Sequence, residues 1–269
     1  MVGEKMDPEE LCLTVLVANK IAKSDLKVDD RLPRYVRHEG KTIPVDVVRL
    51  RRLKPQVSVF PDPGPVAIKV GDASQGTIGA LCSVGGQFFA LTCGHVVPNA
   101  SFENIAYSYS PGSKTWIPIG KTHKRIISPD TDGFVDAALI ALEHPELIVR
   151  ASHATFLEFG MPMGGQQLLA HGASHGICHG VVSGLHAIIT DAVLGTLYCD
   201  ALINVSSPGT FGGDSGMLWK DSDGRAVAMH SYGEGAGGSR KTAAMLASRA
   251  AAALTGVMPG MVRLLSVPN

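Results

Sequence analysis

Between Gly76 and Gly233 the chain reads as a succession of short apolar runs, each closed by turn-forming residues. "GTIGALCSV", "QFFALTCGHVV", "NIAYSYS", "TWIPIGKTHK" and "FVDAALIAL" form one series, and "QQLLAHG", "ICHGVVSGLHAIITD", "TLYCDALINV", "SGMLWK" and "AVAMHSYG" form a second. Runs this brief, bounded by Gly, Pro, Asn and Asp, suit strands rather than helices. Two series of similar size predict a mainly β chain built as two small barrels packed together. The 31 glycines and 16 prolines, with aromatics at only 6%, agree with many turns and few long elements.

The flanks read differently. "KTAAMLASRAAAALTG" (241–256) is alanine-rich with leucine spacing and predicts a C-terminal helix. Residues 1–62 read as a small α+β appendage: "LCLTVLVA" as a buried strand, "KSDLKVDDRLPRYVR" as a polar stretch with a short helix, and "KTIPVDVVRLRRL" as a second strand. The proline-rich "FPDPGP" at 60–65 marks the boundary. The expected organisation is therefore an appendage over 1–62 and a main domain over 63–269, with barrels at about 70–145 and 160–240.

Charge and cysteine content narrow the function classes. Lys+Arg 24 balances Asp+Glu 24, so no global basic field points to nucleic acid or an anionic membrane. "RLRRLKP" (49–55) reads as a solvated strand end or linker. The apolar run Leu11–Ala18 follows acids and is too short to span a bilayer, so neither a signal peptide nor a membrane helix is expected. Cys12, Cys82, Cys93, Cys178 and Cys199 are an odd, scattered set, which reads as reduced thiols in a cytoplasmic protein.

Three positions stand out chemically. "GGDSG" holds Ser215 in a glycine-dense turn before an apolar run, and "LTCGHVV" places His95 just after an apolar strand. "VDAALIAL" carries Asp136 at the head of an apolar run, where an unpaired carboxylate costs several kcal/mol. An imidazole would meet that need. His95 and Asp136 fall in the first series and Ser215 in the second, so a cleft between barrels would unite base, orienting acid and nucleophile. An α/β-hydrolase elbow is excluded, because it needs glycine where Met217 stands and places its histidine last. In "HGASHGICHG", His171, His175 and His179 recur every fourth residue, which on a helix would make a metal face. The interleaved glycines favour a strand and turn instead, and no metal site is expected.

In this order "LTCGHV", "VDAALI" and "GGDSG" resemble the chymotrypsin-like serine peptidases, over about residues 70–255. The resemblance implies two packed six-stranded β-barrels, Ser215 as nucleophile, His95 as base, Asp136 as its orienting acid, and the amides of Gly213 and Ser215 as the oxyanion hole. It places Gly209 and Thr210 on one wall of the substrate pocket and His230, Ser231, Tyr232 and Gly233 on the other. Gly209 supplies no acid, while Thr210 and His230 resemble the pair that binds the substrate carboxylate in glutamyl endopeptidases. Cleavage after Glu, and less well after Asp, is thereby implied. "GASHGICHGVV" also follows the G-x-[ST]-x-G-x-x-x-G-x-V stretch that opens the second barrel in bacterial and plant members.

Two departures matter. Cys93 precedes the histidine, so the disulfide beside the base is not expected, and no Ile-Val-Gly-Gly segment supplies an amine for Asp214. The partner of Asp214 is thus open, and the unprocessed chain is expected to be active. The expectation is a cytoplasmic serine endopeptidase acting on proteins or peptides through an acyl-enzyme, without cofactor, nucleic acid or membrane. A catalytically silent peptidase-fold module, binding a regulatory protein through residues 1–62, stays open as the alternative.

Overall fold

A computed structural model of the chain describes residues 12–17, 19–49, 53–55, 66–71, 74–98, 104–129, 133–191, 193–234 and 238–266. It divides into two compact units, Met1–Arg52 and Leu53–Asn269. In the first, β1 (Leu13–Val17), β2 (Tyr35–His38) and β3 (Lys41–Arg49) form a sheet in the order β1-β3-β2, with β1 parallel to β3. The helix expected in the polar stretch is replaced by two 3₁₀ turns, Lys23–Asp25 and Val28–Asp30, neither burying a residue. A run this charged has no apolar stripe with which to dock a longer helix. The division precedes the 60–65 boundary stretch, which lies outside the described residues, because Leu53 is buried in the second unit.

The second unit opens with β4 (Lys54–Pro55). There follow β5 (Ala67–Val70), β6 (Ser74–Thr77), β7 (Ala80–Val84), β8 (Gln87–Thr92), β9 (Ile105–Ser110), β10 (Thr115–Ser128), β11 (Val135–Leu142) and the helix α1 (Pro145–Ser152). Next come β12 (Gln167–Gly172), β13 (Gly176–Asp191), β14 (Gly195–Val205), β15 (Leu218–Lys220), β16 (Ala226–Gly233), β17 (Lys241–Leu246), α2 (Ala247–Thr255) and β18 (Arg263–Leu265). One sheet runs β18-β7-β8-β11-β10-β9-β5-β6. The other runs β15-β12-β13-β14-β17-β16-β4, and a further β15–β16 pairing closes six of its strands into a ring with β4 outside. The expected two-barrel architecture is present, with extra short strands on each sheet.

Each barrel has its own core. Ile68, Leu81, Phe89, Leu91, Leu139 and Ile140 fill the first, and Ile203, Met217, Trp219 and Val227 fill the second. Nearly all of β11 and all of β16 are buried, so both read as continuous apolar runs. Asp136 in β11 and His230 and Ser231 in β16 are polar exceptions inside those runs.

The C-terminal helix is shorter than expected. Lys241–Leu246 is strand β17, held between β14 and β16, and only Ala247–Thr255 is helical. Alanine favours helix weakly, and pairing on both sides of a closed sheet overrides that preference. Ala247, Ala250, Ala251 and Leu254 then form the buried stripe of α2, which packs on β11 and β16. Helix α1 has no counterpart among the sequence expectations: Pro145 sets its first turn, and Leu147 and Ile148 pack on the first barrel.

Buried Asp200 is held at this junction by Arg249 Nε at 2.9 Å, Arg249 Nη2 at 2.8 Å and the Leu246 amide at 2.7 Å. Removing the cation strands a buried carboxylate. Arg249→Met is expected to cost about 3–5 kcal/mol in urea unfolding at neutral pH. A loss under about 1 kcal/mol would show that water reaches Asp200 and replaces the guanidinium.

Candidate active site

The base is set by a tight turn after β8. His95 occupies a 3₁₀ turn, Gly94–Val96, whose Gly94 carbonyl accepts from Arg125 Nε at 2.8 Å. A side chain at Gly94 would come within 2.6 Å of the Ile126 carbonyl, so only glycine lets the turn lie flat on β10. The turn delivers His95 to Asp136 twice over. Its amide donates to Asp136 Oδ1 at 2.9 Å, and its ring Nδ1 lies 2.5 Å from Oδ2.

Asp136 is fully buried, which by itself would raise its pKa. The charge and hydrogen bonds of His95, and a hydrogen bond from the Ser231 hydroxyl, outweigh that and hold it below the usual carboxylate range. With Nδ1 thus engaged, Nε2 is the ring atom left for chemistry. It is buried and makes no hydrogen bond among the described residues.

Ser215 comes to the same place from the second barrel. Its loop is clamped against the first: Thr77 N donates to Ser215 O at 2.8 Å, and the Thr77 hydroxyl to Gly213 O at 2.8 Å. A Cβ on Gly216, at φ 100°, would lie 2.7 Å from Thr92 Oγ1 and 3.2 Å from Cys93 N, two residues before His95. The Ser215 hydroxyl donates to the Ser231 carbonyl at 3.2 Å rather than to His95. Catalytic hydrogen bonds are often unformed without substrate, and one rotation about χ1 re-aims the hydroxyl.

The expected oxyanion donors are oriented by bonds to the carbonyls of their own peptides. Gly212 O accepts from Ser174 Oγ at 3.0 Å, and Asp214 O accepts from Met217 N at 3.0 Å. In a trans peptide the N–H opposes the C=O, so the amides of Gly213 and Ser215 are turned away from those partners. Gly213 sits at φ 97°, a left-handed conformation suited to glycine.

The partner of Asp214 is now defined. Its carboxylate accepts from Ser174 N at 3.0 Å and Phe211 N at 2.8 Å. Burial pushes its pKa up, while these amides, the Ser174 hydroxyl and His175 oppose that shift. A Cβ at Gly172 would stand 2.3 Å from Asp214 Oδ1. The "GASHG" turn between β12 and β13 therefore holds the Ser215 loop from behind, with His175 stacked on Phe211 at 4.0 Å between ring centroids. His171 and His179 lie exposed on β12 and β13, in the strand and turn arrangement expected.

The sequence alone assigns no role to Ser174, Thr77 or Cys93. Their signal is weak, since each is a small residue acting through one or two hydrogen bonds. Cys93 Sγ donates to His230 O at 3.1 Å and lies 3.4 Å from Ser231 Oγ. Cys93, His95 and Asp136 form the one group of three metal-type donors among the described residues, all within 4.8 Å of one another. None of the five cysteines forms a disulfide.

The expected pocket residues are placed as follows. Thr210 pairs through its backbone with Ser239, and a side chain at Gly209, at φ 94°, would strike the Ser239 carbonyl at 2.5 Å. Gly209 could hold no acid for steric reasons. Thr210 and His230 are both fully buried. Burial, then the nearby charge of His95, pushes His230 down to about 3, so its imidazole is uncharged at neutral pH. The Ser231 hydroxyl faces Asp136 and Cys93, while its carbonyl accepts from Ser215 Oγ at 3.2 Å. The Tyr232 ring lies 6.2 Å from that of His95, and Tyr232 and Gly233 pair with Pro55 and Lys54.

No family model matches the chain, and no curated protein matches its sequence. Solved structures do match its fold. Thermobifida fusca protease A is 18% identical with a TM-score of 0.52, covering 76% of this chain and 97% of its own. A glutamic acid-specific serine protease that uses a histidine triad in substrate binding is 18% identical with a TM-score of 0.52, covering 75% and 98%. Nocardiopsis protease is 16% identical with a TM-score of 0.50, covering 76% and 98%. The chain has the fold of the chymotrypsin-like serine proteases. No helix among the described residues is long and apolar enough to cross a membrane.

Proposed function

We propose that this chymotrypsin-like fold is a working serine endopeptidase. The observation that supports it best is the double hydrogen bond from His95 to Asp136, set beside the clamped Ser215 loop. Ser215 Oγ leaves the Ser231 carbonyl, gives its proton to His95 Nε2 and attacks the scissile carbonyl. The tetrahedral oxyanion is received by the amides of Gly213 and Ser215, each such donor contributing about 3 kcal/mol to the transition state. His95 then passes the proton to the departing amine, and water reverses the sequence to free the acyl group.

For the P1 side chain we propose an acidic preference, Glu over Asp, read by Thr210 and His230. A carboxylate entering a buried pocket loses its water, so two donors must replace it. A hydroxyl and an uncharged imidazole N–H supply them. The glutamate-specific neighbour is described as using three histidines. Here the sheet neighbours of His230 are Met217 and Ala244, so one histidine works with Thr210.

A fluorophosphonate and a set of peptides matched except at P1 test both levels. The label is expected on Ser215 alone, and an unlabelled native protein would overturn the peptidase reading. Glu peptides are expected to be cut fastest, with His230→Ala lowering kcat/KM for them by about 2 kcal/mol. Equal rates on Glu, Gln and Leu peptides would reject the acidic pocket and leave the peptidase intact.

A further inference from the structure

A cleft lies at the end of the first barrel remote from Asp136. In the β10–β11 pair Ile127 stands opposite Asp136, while Gly120 stands opposite Leu142 at the other end. The strand between those ends is about 20 Å long. Just past Leu142 the chain turns into α1, and the amides of Glu143 and His144 both donate to Ile119 O, at 2.8 and 3.2 Å. These bonds fix the start of α1 on β10, and between the helix and the β9–β10 hairpin there is a cleft of about 310 Å³. That volume is at the small end of ligand sites and suits one small molecule.

Ile117, Ile119 and Leu147 give the cleft aliphatic walls, and His144, Glu146 and Arg150 give it polar groups. His144 precedes α1, yet its side chain does not cap the helix, and its Nδ1 is buried with no hydrogen bond among the described residues. Buried nitrogens normally have a partner, and a ligand in the cleft can supply one. Glu146 and Arg150 are exposed and stand four residues apart on α1, acid before base, the arrangement in which such side chains usually pair. Here they form no ion pair, with each other or with any other described residue, whereas the neighbouring Glu143 lies 4.0 Å from Lys121.

We propose that this cleft binds a free aliphatic α-amino acid, held by both of its charges. Its carboxylate accepts from Arg150 and from His144 Nδ1, its ammonium donates to Glu146, and its side chain lies on Ile117, Ile119 and Leu147. Charge selects this ligand over its relatives. Glu146 and Arg150 sum to zero, so a zwitterion answers both. A peptide C-terminus brings only a negative charge and sets it against Glu146, and a peptide N-terminus sets its amine against Arg150. An inorganic anion meets Glu146 in the same way. The fit is also one of spacing: the stems of Glu146 and Arg150 are about 6 Å apart, so the two side chains reach an ammonium and a carboxylate on one carbon from either side. The aliphatic walls favour an apolar side chain, since a charged one would lose its water there without a partner. The site is independent of the peptidase reading.

Isothermal titration of the purified full chain with L-leucine, N-acetyl-L-leucine and L-leucinamide tests the proposal, because the second lacks the ammonium and the third the carboxylate. Leucine is expected to bind once per chain with a Kd of about 1 mM or below, and each analogue about tenfold more weakly or worse, the effect of losing a charged hydrogen bond. Glu146→Gln is expected to bring leucine level with N-acetyl-leucine, and Arg150→Gln to bring it level with leucinamide. His144→Leu is expected to weaken leucine about tenfold while its preference over N-acetyl-leucine, set by Glu146, persists. Both charged positions are exposed, and the order of the analogues is a readout that a change in folding would not move. Three results each overturn the proposal. Absence of saturable leucine binding at about 10 mM leaves no site. N-acetyl-leucine binding as tightly as leucine puts a peptide C-terminus in its place. Leucine affinity unchanged in both Glu146→Gln and Arg150→Gln puts the binding elsewhere.

Discussion

Ser215→Ala is expected to lower peptide hydrolysis by on the order of 10⁴-fold or more and to abolish fluorophosphonate labelling, while the protein stays folded. The Ser215 hydroxyl donates to the Ser231 carbonyl at 3.2 Å. The bond lost is between neutral groups, and its net contribution to stability is about 1 kcal/mol. The backbone clamp from Thr77 is untouched, because it holds the Ser215 carbonyl and not the side chain. Activity and urea unfolding measured on the same preparation separate the two effects. Turnover within tenfold of wild type would remove Ser215 as the nucleophile.

Asp136→Asn is expected to lower kcat by about 10⁴-fold with little change in KM. The substitution keeps the shape, and an amide oxygen can still accept from the His95 backbone N–H that now bonds Oδ1. The amide nitrogen is then left facing His95 Nδ1, and an N–H facing that atom demands its lone pair. The ring must carry its proton on Nε2 instead, where it cannot take one from Ser215. Ser231 and Cys93 pack on the carboxylate and on each other, which leaves little room for the amide to find another arrangement. Single-turnover kinetics on the best P1 peptide would read the loss directly. A variant within tenfold of wild type would mean that Asp136 serves the fold and not the base.

Much of this fold is legible in the residues alone. Strand identity comes through because each run is short, apolar and closed by a turn residue, as in β8 and β11. Asp136 stands out because a carboxylate within an apolar run must have a partner. The failures have physical causes as well. Residues 241–246 read as helix because alanine has that local preference, yet they are buried between β14 and β16. Helix α1 is two turns long, too short for a periodic pattern to stand out. Distance along the chain places Ser231 beside the nucleophile, and the fold adds that its hydroxyl turns to Asp136 and Cys93.

The class of the chain, its two series of strands and the order of His95, Asp136 and Ser215 follow from the residues in line, because alternation, turn chemistry and the cost of burying a charge act over a few neighbouring positions. Three things needed the folded chain: how the "GASHG" turn holds Asp214, which carbonyls of the Ser215 loop are engaged, and where Lys54 and Pro55 lie on β16. Those facts rest on contacts between segments far apart along the chain, such as Ser174 with Asp214 and Thr77 with Gly213. A single hydrogen bond of that kind leaves no periodic trace, since any small polar residue at the position looks locally the same.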